Sequence, residues 1–245
     1  MAVVGISAGL GCDGGRAHAA EPGRRAPVVV ELFTSEGCSS CPPADAELAR
    51  LERDQPVPGA TVVPLALHVD YWNDLGWPDP YSDALYTNRQ RVYGRALGAR
   101  TTYTPQAVID GQDELVGSSR AGMERAIAAA AKRPHVDVTI ARGATPGAMD
   151  IGTGALPDPA AEVELVVFWV EPAAKVAVPR GENAGRTLEH TAIVRSITTL
   201  GRAPAAGGRA TLPLAARPAK AARVVVALQE RSRRRILGAA TASLP

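Results

Sequence analysis

Two cysteines separated by two serines lie between a predicted buried strand and a predicted helix, and this arrangement limits what the chain can fold into. Residues 28–33 are apolar apart from one glutamate, which predicts a strand covered on both faces. Cys38 and Cys41 follow, and leucines at helical spacing predict a helix to about residue 53. The two prolines after Cys41 are tolerated in a first helical turn, where backbone N–H groups have no helical partner. Both cysteines are therefore predicted at the start of a helix that follows a buried strand.

Cysteines at a helix start are suited to thiol–disulfide exchange. The thiolate is the reactive form, and the free N–H groups and dipole of a helix N-terminus lower the pKa of a thiol there. We therefore expect Cys38 to be exposed and to attack a partner, and Cys41 to be more buried and to resolve the mixed disulfide. Glu36 precedes Cys38 by two residues, and its negative charge opposes thiolate formation.

The chain divides into an α/β part and a β part. Hydrophobic periods and turn residues predict the order β-α-β-α-β-β-α over residues 28–133. From residue 136 onward, short alternating runs punctuated by Gly and Pro predict strands only. We therefore predict a signal peptide and linker over residues 1–25, a mixed sheet flanked by helices over residues 26–133, and a small antiparallel, sandwich-like β domain over residues 134–245.

A proline before the predicted hairpin is the second segment of functional interest. Pro105 opens a predicted strand, where its missing N–H is tolerated, and Thr104 stands before it. Residues 98–111 around this pair resemble the segment of thioredoxin in which the bond before the proline is cis and packs against the redox cysteines. Together with the order of elements, this implies a thioredoxin-like domain that lacks the first strand and helix. It also implies that Thr104 and Pro105 shape the surface on which a partner docks and keep metal ions from the cysteines.

The same resemblance gives a hypothesis for Glu31. Thioredoxins carry a buried acid on the corresponding strand, although the spacing in this sequence differs by one residue. The resemblance implies that Glu31 accepts the proton of the resolving thiol. The alternative is a hydrogen-bonded or edge-facing glutamate with no part in the chemistry.

Longer motifs extend over most of the chain. Around the cysteines the sequence reads Glu-Leu-Phe-Thr-Ser-Glu-Gly-Cys-Ser-Ser-Cys-Pro-Pro, and further motifs occupy residues 68–77, 103–106 and 181–187. These motifs resemble those of a family of exported bacterial proteins of unknown function with a thioredoxin-like fold. The resemblance covers nearly all of residues 28–240, its motifs are specific, and it brings no established activity.

These features favour a thiol–disulfide oxidoreductase that acts on protein thiols or disulfides through Cys38 and Cys41, without a cofactor. One alternative is a metal-binding module in which both thiolates and His68 hold copper, because soft sulfur ligands suit Cu(I). His68 ends a predicted parallel strand, where ligand sites are often found, and a merely hydrogen-bonded histidine is the competing explanation. A further alternative is a non-catalytic binding protein that uses the β domain.

The first residues and the overall charge bear on location and partners. Residues 2–10 are uncharged and mostly apolar, and Ala-His-Ala at 17–19 follows them, which predicts a signal peptide over residues 1–19 and a periplasmic or secreted protein. No lysine or arginine precedes this apolar stretch. The net charge of +2 gives no general attraction to nucleic acid. No apolar run reaches the roughly 18 residues of a transmembrane helix.

Overall fold

A computed structural model describes residues 25–99 and 101–245. The predicted signal peptide over residues 1–19 lies outside the described residues. The helices are α1 (Pro42–Asp54), α2 (Ala84–Leu97) and α3 (Arg120–Ala130). The strands are β1 (Ala26–Thr34), β2 (Ala60–His68), β3 (Gln106–Ile109), β4 (Asp113–Val116), β5 (Val138–Arg142), β6 (Ala148–Thr153), β7 (Val163–Val178), β8 (Arg186–Arg202), β9 (Gly208–Pro213), β10 (Arg223–Glu230) and β11 (Ile236–Ser243). Short 3₁₀ turns cover Asn73–Leu75 and Leu214–Ala216.

The described strands form one large mixed sheet and one small antiparallel sheet. The large sheet has the order β11-β10-β7-β8-β2-β1-β3-β4, and the small sheet has the order β5-β6-β9. Strands β1 and β2 are parallel, whereas β3 runs antiparallel to β1. The predicted combination of a mixed sheet, flanking helices and a second antiparallel sheet is therefore confirmed at this level.

Strands from both predicted domains meet in the large sheet. Ala66 of β2 pairs in parallel with Ile193 of β8, which lies beyond the predicted boundary at residue 133. The small sheet encloses an apolar core against β7 and β10, in which Ile151 and Trp169 are fully buried. The sequence analysis predicts no strand over β6, because its glycine and aspartate have low strand propensity.

Alternate residues of β1 face different helices. Val28, Val30 and Leu32 belong to the core that includes α1, whereas Val29 and Phe33 belong to the core that includes α2. This alternation follows from the two-residue period of a strand. A side chain of β1 that approaches α1 must therefore come from an even-numbered position.

The ends of α2 follow from local chemistry. Asp83 precedes the helix, and its carboxylate accepts a hydrogen bond of 2.7 Å from the backbone N–H of Leu85. Ser82, one residue earlier, is also of a type favoured before helices, but its hydroxyl donates to the carbonyl of Asp79 instead. Gly98 ends the helix at a φ of 69°, as its position in the sequence predicts.

Strands β7 and β8 form a hairpin that extends well past the sheet. They contain 16 and 17 residues, whereas a typical strand has about five or six. Beyond Glu171 the ribbon is mostly exposed, and it runs along α1, where the Thr191 hydroxyl donates to the carboxylate of Glu52. Gly181 and Gly185 turn the chain at its end with φ values of 80° and 78°. We call residues 179–185 the hairpin tip.

Candidate functional site

Cys38 and Cys41 form a disulfide at the start of α1. Their Cα atoms lie 5.4 Å apart, and Cys41 is the residue that precedes the first helical turn. Both cysteines have 0% exposed surface. The expectation that Cys38 is exposed is therefore wrong, and the reason lies in a distant part of the chain.

The hairpin tip covers the loop that carries the disulfide. The side-chain amide of Asn183 is buried and donates to the carbonyls of Glu36 and Cys38, at 2.8 Å and 3.0 Å. The carboxylate of Glu182 accepts a hydrogen bond of 3.0 Å from the backbone N–H of Ser39. The tip therefore engages the backbone N–H of the residue next to Cys38, in the loop before α1.

Thr104 and Pro105 are joined to this loop through Trp72. The Thr104–Pro105 peptide bond is cis, as the resemblance to thioredoxin implies. The indole N–H of Trp72 donates to the Thr104 hydroxyl at 2.9 Å. A Cβ atom added to Gly37 would lie 3.0 Å from the Cβ of Trp72, so this tryptophan packs closely on the loop before Cys38. Pro105 itself is buried, and its carbonyl accepts from the N–H of Gly117.

Glu31 does not lie beneath the cysteines. It occupies the face of β1 that packs on α2, where its carboxylate accepts from both Arg89 and the Tyr93 hydroxyl. A shift of one residue along a strand turns a side chain to the opposite face. The one-residue difference in spacing from thioredoxins therefore places Glu31 away from α1, in a buried ion pair.

A group of buried acids and histidines lies on the α1 side of the sheet, at the ends of β1 and β2. We call this group the acid–histidine cluster; it consists of Glu36, Asp45, His68, Asp79 and His190. Two hydrogen bonds organise it. His68 Nδ1 lies 2.7 Å from Asp79 Oδ2, and His190 Nε2 lies 3.0 Å from Glu36 Oε1.

Further contacts connect the two pairs. The backbone N–H of Glu36 donates to Asp79 Oδ2 at 2.8 Å, and the indole N–H of Trp77 donates to Glu36 Oε2 at 2.6 Å. The rings of His68 and His190 pack edge to face with centroids 4.9 Å apart. Their remaining nitrogens, His68 Nε2 and His190 Nδ1, are buried and have no hydrogen-bond partner among the residues that the structure describes.

Burial and mutual contacts shift the pKa values of His68, Asp79 and Asp45 in this cluster. Burial lowers the pKa of His68, but the Asp79 carboxylate outweighs this effect and the net shift is upward. Burial raises the pKa of Asp79, and its contact with His68 reverses this into a net decrease. The contact between His68 and Asp79 therefore favours the charged form of each group. Burial raises the pKa of Asp45, and His68 and His190 offset only part of that increase.

The copper ligands suggested by the sequence, Cys38, Cys41 and His68, do not form a metal site in this structure. In this structure both sulfurs are bonded to each other, and His68 Nδ1 is committed to Asp79. Within the described residues, no three groups from His, Cys, Asp and Glu are placed to hold a metal ion.

Three members of the cluster were not predicted as site residues from the sequence: Asp45, Asp79 and His190. Asp45 follows the quoted cysteine motif, which ends at Pro43, by two residues. His190 lies in β8, within the predicted β domain, and its approach to His68 depends on the pairing of β8 with β2. The one available signal was the helical spacing of Asp45 from Cys41, which places both on one face of a helix.

The family of the chain is clear from its sequence. A family model described as a protein of unknown function (DUF1223) matches residues 29–229. The chain belongs to this family. This family assignment confirms the predicted resemblance to proteins of unknown function and adds no activity.

Two solved structures are similar to the DUF1223 protein described here. One is the crystal structure of a protein from Agrobacterium tumefaciens, with 31% identity, a TM-score of 0.74, and coverage of 91% of this chain and 95% of that chain. The other is HBP35 of Porphyromonas gingivalis, with 15% identity, a TM-score of 0.57, and coverage of 91% and 77% respectively, a likeness of fold alone. No curated protein matches the chain. None of the helices within residues 25–99 and 101–245 has the length and apolar character to cross a membrane.

Proposed function

We propose that this protein is a thiol–disulfide oxidoreductase that acts on a protein partner through Cys38 and Cys41. The observation that carries the proposal is the disulfide between two cysteines at the first turn of α1, directly after the central strand β1. Parallel strands β1 and β2 end at this point, and sites in α/β proteins are found at such strand ends.

A thioredoxin-like arrangement of residues 26–133 is part of this proposal. The order of β1, α1, β2, α2, β3, β4 and α3 is the order that the sequence analysis predicts for a thioredoxin-like core. The contact from Trp72 to Thr104 links the loop before Cys38 to the segment that contains Pro105. We assign Thr104 and Pro105 to the surface on which the partner docks.

The exchange reaction proceeds in two steps. In the reduced protein, the Cys38 thiolate attacks one sulfur of a partner disulfide, and the other partner sulfur leaves as a thiolate. Cys41 then attacks the Cys38 sulfur, which releases the second partner sulfur and closes the Cys38–Cys41 bond. The partner disulfide gains two electrons and the cysteine pair loses two. The reverse sequence oxidises a partner dithiol.

Access to the sulfurs requires movement of the hairpin tip. Both cysteines lack exposed surface, and Asn183 and Glu182 lie on their loop. A partner therefore meets Cys38 only when the tip has lifted. The contacts that must open include the two hydrogen bonds of Asn183, those between Ser39 and the exposed carboxylate of Glu182, and the close approach of Gly181 to Trp77.

Covalent trapping tests the proposed function. Cys41→Ser, expressed with its own N-terminal segment in the native host, should accumulate a mixed disulfide between Cys38 and a partner. The complex should appear on a non-reducing gel and disappear with reductant. Cys38→Ser is the matched control and should trap little. Equal trapping by both variants, or by neither, contradicts the proposal.

A further inference from the structure

Asp45 lies one helical turn after Cys41 on the buried face of α1. Its backbone N–H donates to the Cys41 carbonyl at 3.1 Å, and residues in this i, i+4 relation present their side chains on one face. Cys41 has no exposed surface and Asp45 is only 7% exposed. Glu47, the other buried acid of α1, is instead paired with Arg50 and Arg120.

The carboxylate of Asp45 lies beside the Thr34 hydroxyl and is less engaged than the other carboxylates of the cluster. The other two carboxylates of the acid–histidine cluster are committed: Glu36 accepts from Trp77 and His190, and Asp79 from His68 and two backbone N–H groups. Asp45 forms no salt bridge within residues 25–99 and 101–245. The titratable groups that surround it come from the strand ends, the loop before α2 and β8; they are Glu36, His68, Asp79, Tyr81 and His190, with Glu171 and Arg195 beyond Tyr81.

Cys41 lies on the inner face of α1 and is fully buried when the tip is closed, so an acid one turn along the same face is well placed to receive the proton of its thiol. We propose that Asp45 exchanges a proton with the thiol of Cys41 during disulfide exchange. This inference rests on the function proposed above and names the residue that makes its second step possible. The raised pKa of Asp45, caused by burial, brings the acid closer to a thiol in basicity and so favours transfer in both directions.

Transfer of the proton to Asp45 is coupled to the attack of Cys41 on the mixed disulfide. In the mixed disulfide, the Cys41 thiol gives its proton to the Asp45 carboxylate, and the resulting thiolate attacks the Cys38 sulfur. The Cys38–Cys41 bond forms and the bond from Cys38 to the partner breaks, with its electron pair on the partner sulfur. The partner thiolate then takes up a proton, and Asp45 returns its own proton to the solvent when the site opens. In the reverse direction, Asp45 protonates Cys41 as it leaves.

An aromatic disulfide provides a test that needs no protein partner. The reduced full-length protein is mixed with excess 5,5′-dithiobis(2-nitrobenzoate), whose coloured thiolate is released once by attack of Cys38 and again by attack of Cys41. Asp45→Asn should leave the first release unchanged and slow the second by roughly 100-fold, at the lower end of the effect of acid–base catalysis. The mixed disulfide should then accumulate and be detectable by mass spectrometry after an acid quench.

Two further variants separate proton transfer from loss of structure. Asp54→Asn makes the same change on the same helix at an exposed carboxylate paired with Arg53, and it should behave as wild type. Asp45→Glu retains an acid and should restore the second release to within about tenfold of wild type. The second release in wild type should depend on pH through Asp45, and this dependence should be absent in Asp45→Asn. Circular dichroism of each variant confirms that it is folded.

The outcomes distinguish this inference from the proposed function. A second release that is equal in wild type, Asp45→Asn and Asp54→Asn overturns the role of Asp45, and so does a loss in Asp45→Glu as large as that in Asp45→Asn. A slow second release in Asp45→Asn together with no partner trapped by Cys41→Ser keeps the role of Asp45 and rejects a protein partner. Successful trapping with unchanged release kinetics keeps the partner and rejects the role of Asp45.

Discussion

The side-chain amide of Asn183 donates a 3.0 Å hydrogen bond to the backbone carbonyl of Cys38, which lies 145 residues earlier in the chain. The same amide donates to the carbonyl of Glu36 at 2.8 Å. One residue of the hairpin tip therefore satisfies two carbonyls of the loop that carries the disulfide. The covering of this loop by the tip explains why neither sulfur is exposed.

Asn183→Ala should increase the rate at which a phosphine reduces the Cys38–Cys41 disulfide. Each lost hydrogen bond contributes about 0.5–1.5 kcal/mol to keeping the tip closed, so the open population should rise roughly tenfold. The rate is measured on the folded protein by quenching with a thiol-reactive dye. Asn88→Ala, at an exposed position of α2, is the matched control and should leave the rate unchanged. An unchanged rate in folded Asn183→Ala would show that the sulfurs are reached without movement of the tip.

Glu31→Gln should lower the free energy of unfolding by about 3 kcal/mol and leave disulfide exchange unchanged. Arg89 is buried and loses the carboxylate that pairs with it, and breaking a buried ion pair costs about 3–5 kcal/mol. Urea denaturation of the oxidised protein measures the loss of stability. The rate of exchange with the aromatic disulfide tests whether disulfide exchange is unchanged. Slower exchange at unchanged stability would indicate that Glu31 takes part in the redox chemistry, contrary to what its position on the α2 side of the sheet implies.

The local elements could be predicted from the sequence because their signals are local. The apolar run of β1, the prolines after Cys41 and Gly98 at the end of α2 each act within a few residues. Such signals also placed Cys38 and Cys41 at the start of a helix. The hairpin between β10 and β11 has a local signal of the same kind, because the arginine-rich run at residues 231–235 separates two mostly apolar runs.

The covering and the charge of the site could not be predicted, because they depend on contacts across the whole chain. Asn183 and His190 reach the cysteine loop and His68 only through the extension of β7 and β8 past the sheet. Glu31 differs in this respect, because its one-residue difference in spacing from thioredoxins already indicated the face of β1 opposite to α1. Local patterns therefore identified the reactive pair and missed the groups that surround it.

Trp77→Phe should destabilise the protein more than Trp72→Phe, although both remove one indole N–H. Trp77 donates to the buried carboxylate of Glu36 at 2.6 Å, whereas Trp72 donates to the neutral hydroxyl of Thr104 at 2.9 Å. Hydrogen bonds to charged groups contribute about 1.5–3 kcal/mol, against about 1 kcal/mol for neutral pairs. Urea denaturation of both oxidised variants gives the comparison. Equal losses would indicate that Glu36 is not an ionised acceptor.

Asp110→Asn should change how stability depends on pH. Burial raises the pKa of Asp110 to about 7, although the backbone N–H of Val29 donates to it. Its other oxygen has no hydrogen-bond partner within residues 25–99 and 101–245. The folded state therefore holds a proton at this carboxyl between about pH 4 and pH 7, where the unfolded chain has lost it. The free energy of unfolding of wild type should consequently fall as pH rises through this interval, by up to about 4 kcal/mol, and stay level above it.

Asparagine has no proton to lose, so Asp110→Asn should lack this decrease. The stability advantage of the variant over wild type should grow from about 1.5 kcal/mol near pH 5 to about 4 kcal/mol at pH 8, because wild type acquires a buried negative charge over this interval. Asparagine also tolerates the φ of 47° at this position. Asp113→Asn is the matched control, since this carboxylate is paired with Arg133 at the surface. Urea denaturation from pH 5 to pH 8 measures the difference, and a difference between Asp110→Asn and wild type that does not vary with pH would exclude a neutral Asp110.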